Sequence, residues 1–370
     1  MSQPEPQQTR IHFLDNLRSF TIFLVILYHS GGVYESSGLW SSFWIVDDPA
    51  TNDLVGILNV IIDIFIMSLM FFIAGYATPP AMAGKSPAQF IKTRLKRLML
   101  PWLVAALTLV PLYKVIFLYS RNLPQQDWTS YFHFSQGAIT GQGWLWFLPL
   151  LFLFNMLYLG LSRIRLLPTG LALTPMMALI FVAIFASSLG MSMSGITGWT
   201  HSILLDFQND RLLIYLALFW LGSECFHQNL FARAPQGNTL YILVNILISV
   251  PVIAYVVFLI FPLISTADHL ISPLADKTML WLSFTLSLAG LLYLMLAMFR
   301  RHFNGAGWLW TIQRRNSYYV YIVHVIVLGV IATLLLNAPL HSLLKYVILA
   351  FGTYLISKLI AAVLRKITGQ

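Results

Sequence analysis

The sequence predicts an all-α integral membrane protein, a bundle of about ten transmembrane helices with both termini in the cytoplasm. Three observations predict this class. Of the 370 residues, 58% are apolar and only 9% are charged, against roughly 25% charged residues in ordinary soluble domains. Long apolar segments recur along the whole chain, and basic residues concentrate in alternate loops. A soluble globular enzyme is excluded, because its surface would need more charge.

Each predicted helix is a segment with close to the 20 apolar residues that a transmembrane helix needs. The ten segments are 13–34, 54–77, 98–119, 144–161, 170–191, 212–227, 239–264, 279–299, 317–337 and 343–364. The sixth is short and contains Glu224, and the loops are too short to hold a soluble domain. We therefore expect one transmembrane domain over residues 1–370, with a core of about 11–365 and no appended soluble domain.

The distribution of charge sets the predicted orientation. With the N-terminus inside, most basic residues fall in inner segments, namely Arg10, Lys85, Lys92, Arg94, Lys96, Arg97, Arg163, Arg165, Arg233, Arg300, Arg301, Arg314, Arg315, Arg365 and Lys366. The outer loops hold most acids, namely Glu35, Asp47, Asp48, Asp53, Asp127, Asp206, Asp210, Asp268 and Asp276, with only Arg121, Arg211 and Lys277. This asymmetry follows the positive-inside rule. It explains the net charge of +9, so we expect no nucleic-acid partner.

The first span contains three candidate functional residues. Charges inside a membrane are costly unless they are paired or hydrated, so they mark candidate sites. Arg18 and His29 are eleven residues apart, which is three helical turns plus about 20° and a rise of roughly 16 Å. Asp15 lies one turn before Arg18 on the same face. The helix thus presents a charge pair near the cytoplasm and an imidazole near the outer side; a purely structural ion pair and histidine remain an equal alternative.

The second and third spans add further charged residues. Asp63 lies about three turns from the outer end of its span, where we expect it to orient His29 or to pair with another span. A role only in helix packing also remains open. Arg94 and Arg97 lie one turn apart at the start of the third span. Paired guanidinium groups suit a phosphate ligand, although ordinary positive-inside flanking also explains them.

The remaining candidates lie on three later spans. Ser317, Tyr321 and His324 share one face of the ninth span, for catalysis, binding or polar helix–helix contacts. Glu224 lies near the inner end of the sixth span, where it is a candidate to balance the arginines. At the start of the fourth span, Trp144, Trp146 and Phe147 are expected to form an aromatic belt at the outer interface. The single cysteine, Cys225, allows no intrachain disulfide, and we expect no metal site.

Taken in order, these motifs resemble the membrane-bound acyltransferase-3 family, and within it the glucan succinyltransferase and sugar O-acetyltransferase type. The matching segments are FLDNLRSFTIFLVILYHS, DIF followed by FFIAGY, RLKRLMLP, WFLP and NSYYVYIVH, which together extend from residue 11 to about 330. A lone arginine and histidine at this spacing would be a weak signal. Five motifs in the family's order are specific.

The resemblance implies an enzyme that moves an acetyl or succinyl group from cytoplasmic acyl-CoA to a sugar hydroxyl of a cell-envelope glycan, across a bacterial inner membrane. It implies a catalytic His29, with Asp63 as the candidate to orient it. Donor-binding candidates are Arg18, Arg94, Arg97, Tyr321 and His324, and supporting candidates are Asp15, Glu224 and Ser317. A transporter of an anionic or glycan-linked solute and a structural membrane protein remain as alternatives.

Overall fold

The computed structural model describes residues 11–36, 44–132, 141–164, 172–232, 237–267 and 269–368. The structure is 79% helical. A short hairpin pairs β1 (Trp199–Thr200) with β2 (Phe207–Gln208) in antiparallel register. The predicted all-α class is thereby confirmed. Four residues of the charge pattern, Arg10, Arg165, Arg233 and Asp268, lie outside the described residues.

The helices coincide with the predicted spans. In order, they are α1 (His12–Tyr34), α2 (Asp53–Tyr76), α3 (Thr78–Met82), α4 (Pro87–Arg94), α5 (Leu100–Ser120), α6 (Phe147–Arg163), α7 (Leu173–Met193), α8 (Leu212–His227), α9 (Thr239–Leu247), α10 (Ser249–Ile264), α11 (Pro273–His302), α12 (Trp308–Leu335) and α13 (Ser342–Thr368). A π-helix over Leu95–Met99 joins α4 to α5, and α9 continues into α10 as one long segment. Each of the ten predicted spans therefore corresponds to a helix.

Eight helical segments within the described residues are long and apolar enough to cross a membrane. The first and sixth predicted spans are not among them. α1 contains the charged residues Asp15 and Arg18, and α8 has only 16 residues. More than half of the residues in each of these two helices are buried. Neighbouring helices therefore separate α1 and α8 from most of the surrounding lipid.

α1 lies at the centre of the bundle, in contact with α2, α11, α12 and α13. It runs parallel to α12, because His12 meets Arg314 near the start of both helices and His29 meets His324 further along. The side-chain amide of Asn16 donates hydrogen bonds of 2.7 and 3.0 Å to two carbonyl groups in the loop before α12. The beginning of α1 is thus fastened to the loop that leads into α12.

α2 and α8 cross at short range because both carry glycine at the crossing. A Cβ atom at Gly75 would overlap the backbone of Phe219, and one at Gly222 would overlap the carbonyl of Phe72. Small residues allow membrane helices to approach closely enough for extensive van der Waals contact. This crossing fixes the position of α8 against α2, and therefore the position of Arg211, which immediately precedes α8.

Candidate active site

The two histidines identified in the sequence meet between α1 and α12. Nδ1 of His29 lies 2.8 Å from Nε2 of His324, and the two ring planes differ by only 6°. Nδ1 of His324 lies 2.7 Å from the carbonyl oxygen of Tyr321, in its own helix. His324 is fully buried, whereas His29 is partly exposed. The three groups form a hydrogen-bonded chain that ends at the more accessible imidazole.

Proton positions in this chain follow from what each group can donate or accept. A carbonyl oxygen can only accept, so Nδ1 of His324 donates to Tyr321. Burial disfavours the charged form of His324, and in a neutral imidazole the second ring nitrogen is an acceptor. Nε2 of His324 therefore accepts a hydrogen bond from Nδ1 of His29. This tautomer leaves the basic lone pair of His29 on Nε2.

Two further side chains hold the end of α1 that carries His29. The indole nitrogen of Trp44 donates to the carbonyl of His29 at 2.9 Å, and the two ring centroids are 4.8 Å apart. The side-chain amide of Asn59 on α2 donates to the carbonyl of Tyr28, the residue before His29, at 3.0 Å. A Cβ at Gly31 would collide with Asn59, and one at Gly32 would lie 3.1 Å from the indole nitrogen of Trp44. Trp44 and Asn59 were not predicted from the sequence, although the glycine pair after His29 indicates that other groups approach the helix closely there.

Tyr321 connects α12 to the segment that leads into α6. Its hydroxyl donates to the carbonyl of Trp144, and the indole nitrogen of Trp144 donates back to the carbonyl of Ile322 at 2.9 Å. The expected aromatic belt is wrong for this segment, because Trp144, Trp146 and Phe147 are all at most 9% exposed. Aromatic side chains suit either an interface or a core, and here the reciprocal hydrogen bonds place Trp144 inside the bundle.

Asp63 forms an ion pair with Arg211. The guanidinium nitrogen NH2 lies 2.6 Å from Oδ2 of Asp63, and NH1 donates to the backbone carbonyl of Asp63 at 3.1 Å. The partner is therefore neither His29 nor a residue within another span, but an arginine that the sequence analysis placed in an outer loop, directly before the sixth span. The group placed against Nδ1 of His29 is His324, so the expected orienting role of Asp63 is corrected. The physical reason is that a full positive charge is a stronger partner for a carboxylate than an imidazole dipole.

Three arginines identified in the sequence lie on α1 and on the α4–α5 segment. Arg18 pairs with Asp15 at 3.4 Å, as their spacing predicts, and its side chain is 40% exposed. The guanidinium of Arg94 lies over the ring of Phe90, 5.0 Å from its centroid. Arg97 is exposed, on the π-helix. The exposed guanidinium groups of Arg18 and Arg97 can receive a phosphate from solution, whereas Arg94 is half-buried.

The two remaining supporting candidates are buried elsewhere. Ser317 donates to the carbonyl of Arg314 at 3.2 Å within α12. Glu224 is buried in α8, three residues before His227, whose Nε2 lies 2.8 Å from the hydroxyl of Tyr158. Within the described residues, no hydrogen bond or ion pair joins either side chain to the histidine pair. Their supporting roles remain predictions.

A protein-family model matches nearly the whole chain. It is the acyltransferase-3 model, described as an acyltransferase domain, and it matches residues 11–362. No curated protein and no solved structure matches the sequence. The matched range includes both histidines and all three arginines described above.

The ion pair of Asp63 predicts a specific pattern of stability. Arg211→Gln should lower the thermal unfolding temperature of the purified protein, because an unpaired carboxylate inside the bundle costs about 3–5 kcal/mol. Asp63→Asn combined with Arg211→Gln should recover much of the loss, since no unpaired charge remains. Thermal unfolding followed by light scattering in detergent measures both. Equal losses in the single and double variants would contradict the pairing.

Proposed function

Because the chain belongs to the acyltransferase-3 family, we propose that it transfers an acetyl or succinyl group from acyl-CoA to a sugar hydroxyl across the membrane. The chain has the apolar helices of a multi-pass membrane protein. The observation that carries the proposal is the hydrogen-bonded chain from His29 through His324 to Tyr321. It supplies a neutral imidazole with its basic nitrogen held in one orientation, as an acyl transfer to a hydroxyl requires.

His29 acts as a general base in the proposed reaction. Its Nε2 accepts the proton of the sugar hydroxyl as the oxygen attacks the thioester carbonyl. The new C–O bond forms, the C–S bond breaks, and the proton passes to the departing sulfur, giving an ester and the thiol of CoA. His324 accepts the Nδ1 hydrogen bond throughout and stabilises the transient imidazolium. A base placed in this way contributes about 10²–10⁴-fold to the rate.

The phosphates of CoA bind to the arginines in this proposal. Arg18, Arg94 and Arg97 lie in segments that the charge pattern assigns to the cytoplasmic half, where the donor is made. Along α1, the rise from Arg18 to His29 is roughly 16 Å, and the extended pantetheine arm of CoA bridges this gap. The nucleotide then stays on the cytoplasmic side while the acyl group reaches His29.

Donor use is tested with purified protein in lipid nanodiscs and radiolabelled acetyl-CoA and succinyl-CoA. We expect CoA binding, and loss of the thioester when a glucan acceptor is added. Arg97→Ala should weaken CoA binding by about tenfold or more, as expected for a charge-assisted hydrogen bond. Lys92→Ala is the matched control, because it removes an exposed cation from the same segment. Absence of CoA binding by folded wild-type protein would refute the proposal, and equal losses in both variants would refute a specific arginine site.

The role of His324 is tested by two substitutions. His324→Phe removes the acceptor for Nδ1 of His29, so it should lower kcat and leave the affinity for CoA unchanged. His324→Gln keeps a side-chain oxygen that can accept the same hydrogen bond, so it should retain more activity. Steady-state kinetics and CoA binding distinguish these effects. Weakened CoA binding with normal kcat would instead place His324 in the donor site, as the sequence resemblance implied.

A further inference from the structure

A proline follows closely after the π-helix that carries Arg97. The first residue after the π-helix, Leu100, donates its backbone N–H to the carbonyl of Leu95. The next residue, Pro101, has no N–H and cannot form the α-helical hydrogen bond to the carbonyl four residues earlier. That carbonyl belongs to Arg97. The helix therefore cannot supply the usual α-helical partner to the backbone of this arginine.

A side chain from α12 donates a hydrogen bond to this carbonyl. The hydroxyl of Tyr318 donates to the carbonyl oxygen of Arg97 at 2.6 Å. Pro101 removes the usual α-helical donor to this carbonyl, and the hydrogen bond from Tyr318 joins the Arg97 turn to α12. Tyr318 lies between two residues that the sequence predicts as site candidates, Ser317 and Tyr321, but was not itself predicted.

The same helix also carries His324, the hydrogen-bond partner of His29 on α1. Tyr318 and His324 are six residues apart on α12, a rise of about 9 Å. The arginine turn and the proposed general base, His29, are therefore both hydrogen-bonded to side chains of α12. Bound acyl-CoA must contact both of these places at once, with its phosphates at the first and its thioester at the second.

From this connection we infer that Tyr318 is a positioning residue for the acyl-CoA donor, which holds Arg97 in place for the CoA phosphates. The inference rests on the function proposed above. A guanidinium on a fixed turn binds a phosphate more tightly than one on a mobile turn, because less freedom is lost on binding. Tyr318 does not touch the reacting atoms. Its loss should therefore weaken donor binding and leave the chemical step intact.

The test combines Tyr318→Phe with Pro101→Ala in nanodiscs. Tyr318→Phe should raise the KM for acetyl-CoA and the Kd for CoA by about threefold to tenfold, the range for one lost hydrogen bond, with kcat unchanged. Pro101→Ala gives the turn a backbone N–H that can donate to the Arg97 carbonyl. In that background, Tyr318→Phe should have little effect on KM. Tyr119→Phe is the matched control, because this tyrosine lies at the far end of α5 and is 67% exposed.

The other possible results refute either the role of Tyr318 or the proposed acyltransferase function. An unchanged KM in Tyr318→Phe, a fall in kcat instead, or an equal rise of KM in both backgrounds refutes the role of Tyr318 while the acyltransferase function stands. Failure of wild-type protein to bind CoA refutes the proposed function itself. If Tyr318→Phe aggregates during size-exclusion chromatography, the added Pro101→Ala should restore both folding and donor affinity, and failure to do so also refutes the inference.

Discussion

The hydrogen bond between His29 and His324 joins the two helices around which the proposed site is built. Hydrocarbon offers no water to an isolated imidazole, so each histidine in a buried position needs a partner within the protein. Here the partners form a chain that ends on a carbonyl oxygen, which can only accept. That single constraint fixes both tautomers and leaves one ring nitrogen of His29 basic. In the proposed mechanism, His324 rather than a carboxylate orients the base.

α12 organises the site because three of its side chains, spaced three residues apart, meet three different neighbours. Tyr318 contacts the Arg97 turn, Tyr321 contacts Trp144 before α6, and His324 contacts His29 on α1. Steps of three residues turn a helix by about 300°, so successive side chains point 60° apart. The three contacts therefore lie on one side of α12, each in a different direction. In the proposed mechanism, donor binding and base orientation therefore both depend on the position of α12.

The sequence was sufficient to predict the helices and the faces that carry polar groups, because apolar length and helical periodicity are local properties. It could not predict which polar group meets which. Asp63 and His29 each fit several partners, and the choice depends on helix packing. Glycines at the crossing of α2 and α8 bring Arg211 against Asp63, and the parallel arrangement of α1 and α12 brings His324 against His29. Trp144 was misplaced because aromatic residues suit both a membrane interface and a core.

Catalysis by the basic nitrogen of His29 is tested most directly by separating donor binding from turnover. Wild-type protein and His29→Ala are compared in the same nanodiscs, with a glucan acceptor and a saturating concentration of the acyl-CoA that the wild-type protein consumes, and CoA binding and thioester loss are measured on each sample. A general base at His29 predicts unchanged CoA affinity and turnover reduced by about 10²–10⁴-fold in the variant. Equal turnover by the two proteins at equal CoA occupancy would contradict it.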